Sequence, residues 1–428
     1  KLELDQRPFG TQLDVYDEGF EWLRHSMQPK ATAKELFRVR IGGPDCALPY
    51  SASVLNISAM SFGALGANAI RALNLAAKTG GFAQDTGEGG ISPHHREFGG
   101  DLIWEIGSGY FSARTPDGRF SPELFAKTAA DPQIRMVELK LSQGAKPGHG
   151  GVLPGVKVTA EIAAIRSVPQ GVDCVSPARH SAFSTPLELM TFIGEMRRLA
   201  GGKPTGFKLC VGQPQEFLAV CKAMLETGVY PDFIVVDGKE GGTGAAPQEF
   251  MDHLGMPMRE GLNFVHNALV GIGARERVRI GAAGKIVTAF DMARAMALGA
   301  DWCNAARGFM FSIGCIQSLS CHNSKCPTGV ATQDPGRGRA LVVADKSPRA
   351  ANFHRETLES LAELTAAAGL DHPSQFGLAH FSRRITAREM ASLADLYPAL
   401  RPGELLEGAR DPRFAEAWRV ARPDRFQG

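Results

Sequence analysis

The sequence predicts an α/β fold: a (β/α)8 barrel of the TIM type with an N-terminal extension and a C-terminal helical region. Three observations predict it. From residue 50, short β-branched or apolar runs alternate with helical patterns, and each run ends in a polar or Gly-rich turn. Strands that alternate with helices build parallel βαβ units. Eight such runs lie within about 250 residues, the size of a closed barrel. The chain also holds 49 glycines in 428 residues, above the usual ~7%. They follow no collagen period and the apolar fraction is ordinary, so the excess reads as tight turns and close backbone approach to a ligand. A doubly wound sheet is the alternative arrangement.

The elements follow in order. Residues 1–49 form the extension, with a helix expected around Asp17–Gln28 and a short strand at Leu36–Ile41. The barrel, residues 50–344, has expected strands at Val54–Met60, Gly81–Thr86, Met136–Leu141, Asp173–Ser176, Thr205–Cys210, Phe233–Asp237, Arg277–Ala282 and Trp302–Ala306. Helical patterns lie between them at Ala64–Thr79, Ala160–Arg166, Pro186–Ala200, Pro214–Thr227 and Thr288–Leu298. Residues 345–428 are charge-rich, hold only five of the glycines, and read as a helical cap with helices at His354–Ala367 and Thr386–Leu396.

Composition excludes several classes. A net charge of +2, from 47 Lys+Arg and 45 Asp+Glu, gives no electrostatic case for nucleic acid or a membrane surface. No apolar stretch reaches the 18–20 residues of a membrane span. The first residue is Lys, so an upstream segment, and membrane association through it, stays open. Eight cysteines in a chain with a large core need no disulfide framework; the expected location is cytoplasmic. No G-x-G-x-x-G, phosphate P-loop or G-x-S-x-G is present.

The sharpest chemical signal is Cys315, Cys321 and Cys326, spaced C-x5-C-x4-C. Three thiolates on one loop suit an iron–sulfur cluster, and three rather than four suit [3Fe-4S]. Zinc with His322 as fourth ligand, or three unconnected buried cysteines, are the alternatives. Gly-rich turns follow several strands: Asp85–Gly90, Gly241–Gly244, Gly281–Gly284 and Arg307–Gly308. At the C-terminal face of a barrel such turns hold phosphate on backbone N–H groups. Lys140 and Lys208 lie inside apolar runs and should point into the mouth toward an anion or carbonyl. A lone Lys is otherwise most often a solvated surface charge.

These motifs together resemble the FMN-binding synthase domain of glutamate synthase, here without its amidotransferase domain. The matching stretches are Ser58–Gly63, Thr86–Gly90, Gln143–Gly148, Gly241–Gly244, and the cysteine motif continuing through Cys326-Pro-Thr-Gly-Val-Ala-Thr-Gln333. They run in order across roughly residues 50–335. The resemblance implies one FMN beside one [3Fe-4S] cluster and a reductive amination of 2-oxoglutarate or a related 2-oxo acid. It implies that Ala59, Met60, Ser61 and Asp85 flank the flavin and that Lys208 faces its pyrimidine edge. Gly242, Thr243, Gly284, Arg307 and Gly308 would surround the FMN phosphate. Glu88, Lys140, Lys146 and Arg166 would form the substrate end, with Lys140 also near the cofactor and Lys208 and Glu88 catalytic. Cys315, Cys321 and Cys326 would hold the cluster.

Three positions depart from the family pattern. Asp85 replaces an Asn, His149 replaces a Glu, and Val152 replaces a Gln that would contact the keto acid. The substrate end therefore differs from that of a 2-oxoglutarate enzyme. The amino group would come from ammonia, an amine or a separate amidotransferase subunit. Electrons would come from a ferredoxin-like or other donor. An N-methylglutamate synthase subunit, or an electron-transfer or partner-binding subunit without its own amination, are the alternative functions.

Overall fold

The computed structural model describes residues 10–427 except 34, 36, 148 and 149. Eight parallel strands close into a barrel: Leu55–Ile57, Gln84–Asp85, Leu102–Ile106, Ile134–Lys140, Thr205–Leu209, Phe233–Asp237, Arg279–Ala283 and Trp302–Ala305. Each pairs with its sequence neighbour, and the eighth closes on the first through Cys303 opposite Leu55. Strands such as Phe-Ile-Val-Val-Asp are buried throughout, because helices cover the outside and side chains fill the inside.

The barrel interior is plugged from below. Ile103, Met136, Phe233, Val235 and Trp302 pack in one apolar cluster with Ile41, Tyr50 and Ala52. These last three come from an antiparallel hairpin, Arg38–Ile41 with Tyr50–Ser53. The outer helices start where their sequences say they should. Thr185 and Glu188 form a capping box before Pro186–Leu199, and Thr288 and Asp291 do the same before Ala289–Ala297. Both satisfy N–H groups that the first turn leaves unpaired.

Two expected strand positions change, and the changes cancel in the count. Asp173–Ser176 is not a barrel strand: Cys174–Val175 pairs antiparallel with Val152–Leu153 outside the barrel. The third barrel strand is Leu102–Ile106 instead. It was hidden because its charged Glu105 interrupts the apolar run, and because only the one-turn helix Pro93–Arg96 separates it from the second strand. Lys140 therefore ends the fourth strand, while Lys208 is on the fifth.

Both termini also differ from expectation. In place of a helix at Asp17–Gln28, Glu21–Leu23 is a strand paired antiparallel with Phe381–Arg384. Met390–Ser392 completes this three-stranded sheet, where a helix over Thr386–Leu396 was expected; only Leu393–Leu396 is helical there. Such pairing joins segments some 360 residues apart, beyond any local pattern. The expected helix at His354–Ala367 is longer, Val343–Ala367, and lies against Ala67–Gly80 and Ala289–Ala297. Of the strand expected at Leu36–Ile41, Arg38–Ile41 is seen and Leu36 lies outside the described residues.

Glu21 anchors this arrangement. Its buried carboxylate meets Arg259 at 2.9 Å, Arg294 at 2.6 Å and Arg383 at 2.7 Å. Burial pushes its pKa up, but Arg294, Arg259 and Arg383 together hold it below the usual range. The stabilisation is thus present above the ordinary Glu pKa and lost as pH falls through the lowered one. Glu21→Ala strands three guanidinium groups, two of them partly solvated. A loss of about 2–4 kcal/mol is expected, read as a lower urea midpoint at pH 7; an unchanged midpoint counts against the clamp.

Candidate functional site at the barrel mouth

Four neighbouring strands place charged groups at the barrel centre. Asp85, Glu105, Glu138 and Lys208 come from strands two to five, and all are buried. Glu105 and Glu138 sit opposite each other in the ladder. The Lys208 ammonium donates to Glu105 Oε2 and lies 3.3 Å from Glu138 Oε1. Oxygens of the three carboxylates lie within 4.8 Å of one another, and Lys208 is the cation among them. Asp237, on the sixth strand, accepts from the Gly144 amide at 3.1 Å.

Three carboxylates cannot all ionise cheaply around one lysine. Burial and the Glu105 carboxylate push Asp85 up to about 7. Burial lifts Glu138 well above the usual range, against the pull of Lys208. Burial lifts Asp237 to about 6, again opposed by Lys208. Lys208 feels burial downward, but Glu105, Glu138 and Asp85 keep it charged. Asp85 Oδ1 accepts from the Gly87 amide at 2.9 Å, while its Oδ2 is buried without a partner. Both Glu138 oxygens also lack a hydrogen bond, so the group presents one fixed cation and three carboxyl oxygens without a hydrogen-bond partner.

Asp85 binds its proton more readily in the fold, at about 7, than in an unfolded chain, at ~3.9. Its neutral form stabilises the fold, and that contribution is lost as pH rises through about 7. Asp85→Asn stays neutral. It is expected to be more stable than the parent by about 1–3 kcal/mol at pH 8, with a smaller difference at pH 5. A difference independent of pH in urea titrations contradicts this.

A second group lies at the rim. Lys140 Nζ is 3.1 Å from Glu88 Oε2 and also donates to Gln143. Burial raises the Glu88 pKa, but Lys140, Arg166 and Lys146 reverse this and hold it ionised. Burial and Lys140 lower Lys146. Arg166 ends the helix Ala160–Arg166, donates to the Phe62 carbonyl at 3.1 Å and covers the Phe111 ring at 5.3 Å. Thus Glu88, Lys140, Lys146 and Arg166, spread over 79 positions, converge. Gly151 leaves room for the Glu88 carboxylate: a Cβ would stand 1.6 Å from Glu88 Oε1, so the carboxylate would have to shift. A small polar cavity opens beside Glu88, Lys140, Gln143, Lys146 and Pro177. Val152 is half-buried in its short strand, and His149 lies outside the described residues.

The loops expected around a cofactor lie against one another. Gly87 adopts φ +63°, and a Cβ there would be 2.6 Å from the Ser61 amide, so the glycine turn packs on the Ala59–Met60–Ser61 segment. Arg307 donates to the Glu240 carbonyl, just before Gly242 and Thr243. Gly284 adopts φ +134°, with its Cβ direction 3.3 Å from the Gly238 amide. At Gly308 the Cβ direction meets the Phe353 ring at 2.5 Å. Its smallness serves helix packing.

The cysteine loop follows the eighth strand through the short helix Arg307–Ser312. Cys315 and Cys321 are half-buried and Cys326 is buried; none is in a disulfide. Gln317, Leu319 and Ser324 all adopt left-handed φ near +55° to +61°, three of the seven such non-glycine residues described. Strain of this kind persists where surrounding structure enforces it. Burial raises the Cys326 thiol, but backbone N–H groups of Ala331, Thr328 and Val330 and the Thr328 hydroxyl bring it below the usual value. Burial and the Cys315 and Cys326 thiols raise Cys321. The loop therefore favours the anionic sulfur at Cys326 and disfavours it at Cys321. The cysteines do not close on one ion: among the described residues, the carboxylate trio is the only set of three such donors within 4.8 Å. Each thiolate of a cluster binds a different iron, so wider spacing fits a cluster better than zinc; His322 is also exposed.

The loop is bonded to the mouth. Gln333 Nε2 donates to the carbonyls of Gly63 at 3.0 Å and Leu65 at 2.8 Å. The Gly66 amide donates to Val330 O at 2.9 Å. Lys157 Nζ donates to Ala64 O at 2.6 Å, Cys321 O at 3.0 Å and Ala331 O at 3.4 Å. Burial lowers Lys157 to about 8, while the Cys321 and Cys326 thiols favour its charge.

Sequence reasoning overlooked Glu105, Glu138, Asp237, Lys157 and His180. His180 Nε2–H donates to the Lys140 carbonyl at 2.8 Å, so Nδ1 accepts from the Tyr110 hydroxyl at 3.1 Å. Burial keeps this ring neutral, with a pKa of about 4. A usable signal existed for Glu105 and Glu138: a lone acid inside an apolar strand points inward as Lys208 does.

The family model described as "Conserved region in glutamate synthase" matches residues 48–371. The glutamate synthase large subunit-like protein YerD of Bacillus subtilis is 44% identical over 342 residues, covering 79% of this chain and 65% of that protein. An archaeal-type glutamate synthase (NADPH) of Thermotoga neapolitana is 35% identical over 315 residues, covering 73% and 59%. The archaeal glutamate synthase (NADPH) of Methanocaldococcus jannaschii is 33% identical over 353 residues, covering 82% and 65%. The chain thus spans less than two thirds of the length of these relatives. Among solved structures, a mutant flavocytochrome b2 with pyruvate bound matches with a TM-score of 0.50 at 12% identity, covering 90% of this chain and 87% of that one. That likeness extends to the fold.

Proposed function

We propose that this chain, which belongs to the glutamate synthase conserved-region family, is an FMN and [3Fe-4S] oxidoreductase that reductively aminates a 2-oxo dicarboxylate or a related 2-oxo acid. The carrying observation is that the cysteine loop is bonded, through Gln333 and Lys157, onto the same first-strand loop that packs on the Asp85–Gly90 turn. A thiolate site and a glycine-lined mouth are thereby one unit. In this reading residues 50–344 are the cofactor-binding barrel, flanked by the extension 1–49 and the cap 345–428.

FMN, when bound, supplies hydride transfer to a carbon–nitrogen double bond. Ala59, Met60, Ser61 and Asp85 would flank it, and Gly242, Thr243, Gly284, Arg307 and Gly308 would lie toward its phosphate. The unpaired buried Oδ2 of Asp85 supports this assignment, since such an atom wants a ligand partner. Cys315, Cys321 and Cys326 would ligate the cluster. Lys208 keeps a positive charge at the mouth centre that stabilises negative charge next to it. Lys140, Lys146 and Arg166 offer three cations to substrate carboxylates, whose charge-assisted bonds fix orientation. Glu88 is held ionised by the same cations, so it serves as proton acceptor rather than donor. His180, neutral, donates to the Lys140 carbonyl and fixes the end of that strand. Ammonia, an amine or an amidotransferase partner would bring the amino group, and a ferredoxin-like donor the electrons.

Purified protein should show flavin absorbance and about three irons per chain. Reduced anaerobically, it should be reoxidised by a 2-oxo acid only when ammonia or methylamine is present. Protein expressed with iron and flavin supplied but containing neither overturns the reading. Reoxidation by protein acceptors but by no 2-oxo acid favours an electron-transfer subunit.

A further inference from the structure

Lys157 is among the largest fully buried side chains, with 1% exposure. It lies in the short turn Gly155–Lys157, on neither the cysteine loop nor the first-strand loop. All three ammonium hydrogens are used, and all three acceptors are neutral carbonyls: Ala64, Cys321 and Ala331. Among the described residues no carboxylate pairs with it; its bond to the Cys321 carbonyl at 3.0 Å sets the ammonium against the cysteine loop. A desolvated cation with no acidic partner is costly. Its fixed position needs a compensating negative charge, and the thiolates are the groups at hand.

We propose that Lys157 is the counter-charge of the cysteine loop: a positioning residue whose ammonium sets the reduction potential of the iron–sulfur cluster and joins that loop to the first-strand loop. The proposal rests on the cluster reading above. The reasoning is electrostatic. A polynuclear iron site on three thiolates is anionic and gains further negative charge on reduction. A buried cation beside it stabilises the reduced form more than the oxidised one, so it raises the potential. The Ala64 bond extends the same ammonium to the loop carrying Ala59–Ser61, which keeps the cysteine loop in register with the mouth.

The test compares wild type, Lys157→Met, which is similar in volume but neutral, and Lys157→Arg, which keeps the charge. Iron, sulfide and flavin contents are measured, and the cluster potential is titrated by electron paramagnetic resonance. In Lys157→Met with flavin retained, the reduced-to-oxidised ratio at fixed potential should fall at least tenfold, a downward shift of about 59 mV for one electron. Lys157→Arg should stay close to wild type. Loss of cluster from Lys157→Met with flavin and fold retained also supports the proposal. An unchanged potential and iron content in Lys157→Met overturns it. If Lys157→Met does not fold, Lys157→Gln is titrated as the neutral variant. If neither neutral variant folds while Lys157→Arg matches wild type, the residue serves the fold alone and the proposal fails. Wild type without iron instead refutes the cluster reading itself, a distinguishable outcome.

Discussion

Lys208→Met is expected to cost about 3–5 kcal/mol of stability at pH 8, and less at pH 5.5. Removing one partner of a buried ion pair leaves the other charge uncompensated, which costs this much where water cannot reach. Here the remainder is worse than one charge: Glu105, Glu138 and Asp85 are all buried around the vacated ammonium. Without Lys208 the raised pKa values of Asp85 and Glu138 lose the cation that opposes the rise, so the folded state binds more protons than the unfolded chain. Stability of the variant must then fall as pH rises. Urea titrations of both proteins at the two pH values check this. Parallel curves at both would show that Lys208 is not what keeps the carboxylates tolerable. In the proposed function the same variant also loses flavin retention, since the cation at the mouth centre is gone.

In the proposed function, Cys326→Ser is expected to reduce bound iron to about a tenth or less of wild type, with flavin retained. Any turnover that depends on electrons entering through the cluster should disappear with it. Cys326 is the buried member of the trio, and its sulfur sits among the amides of Thr328, Val330 and Ala331. A serine hydroxyl can accept from those amides, so the loop should keep its shape. It cannot supply a thiolate, so the ligand is lost while the fold remains. Cys303→Ser is the control. Cys303 is buried in the eighth strand, where burial pushes its thiol far upward, and its replacement should leave iron unchanged. Equal iron in Cys326→Ser and wild type would remove the cysteine loop from the metal assignment.

Legibility in the sequence followed the range of the interactions. Helices with their own caps were readable, such as Ala160–Arg166 and Pro214–Thr227, because their signals lie within a few residues. Leu102–Ile106 was not, because the charge of Glu105, which faces Lys208, also breaks its apolar run. The strand assigned to Asp173–Ser176 is a real extended segment that pairs with Val152–Leu153 instead of the barrel. Likewise the rim charges could be named singly, as Glu88, Lys140, Lys146 and Arg166. That Lys140 sits against Glu88 needed coordinates. Lys157 carried no sequence signal: nothing local tells a lysine in Gly-Val-Lys-Val that it will be sealed from water.

The Glu21 sheet bears on how the chain is made. Its first strand leaves the ribosome some 360 residues before its partner Phe381–Arg384. Until then Glu21 has one of its three arginines missing, and the strand edge is unpaired. Emerging chains fold from the N-terminus onward, so this segment must wait while the barrel assembles. Joining strands so far apart in sequence is slow. Translation stalled before residue 381 should therefore leave a nascent chain with a folded barrel and a protease-sensitive Glu21–Leu23 segment, closed only when Phe381–Arg384 emerges.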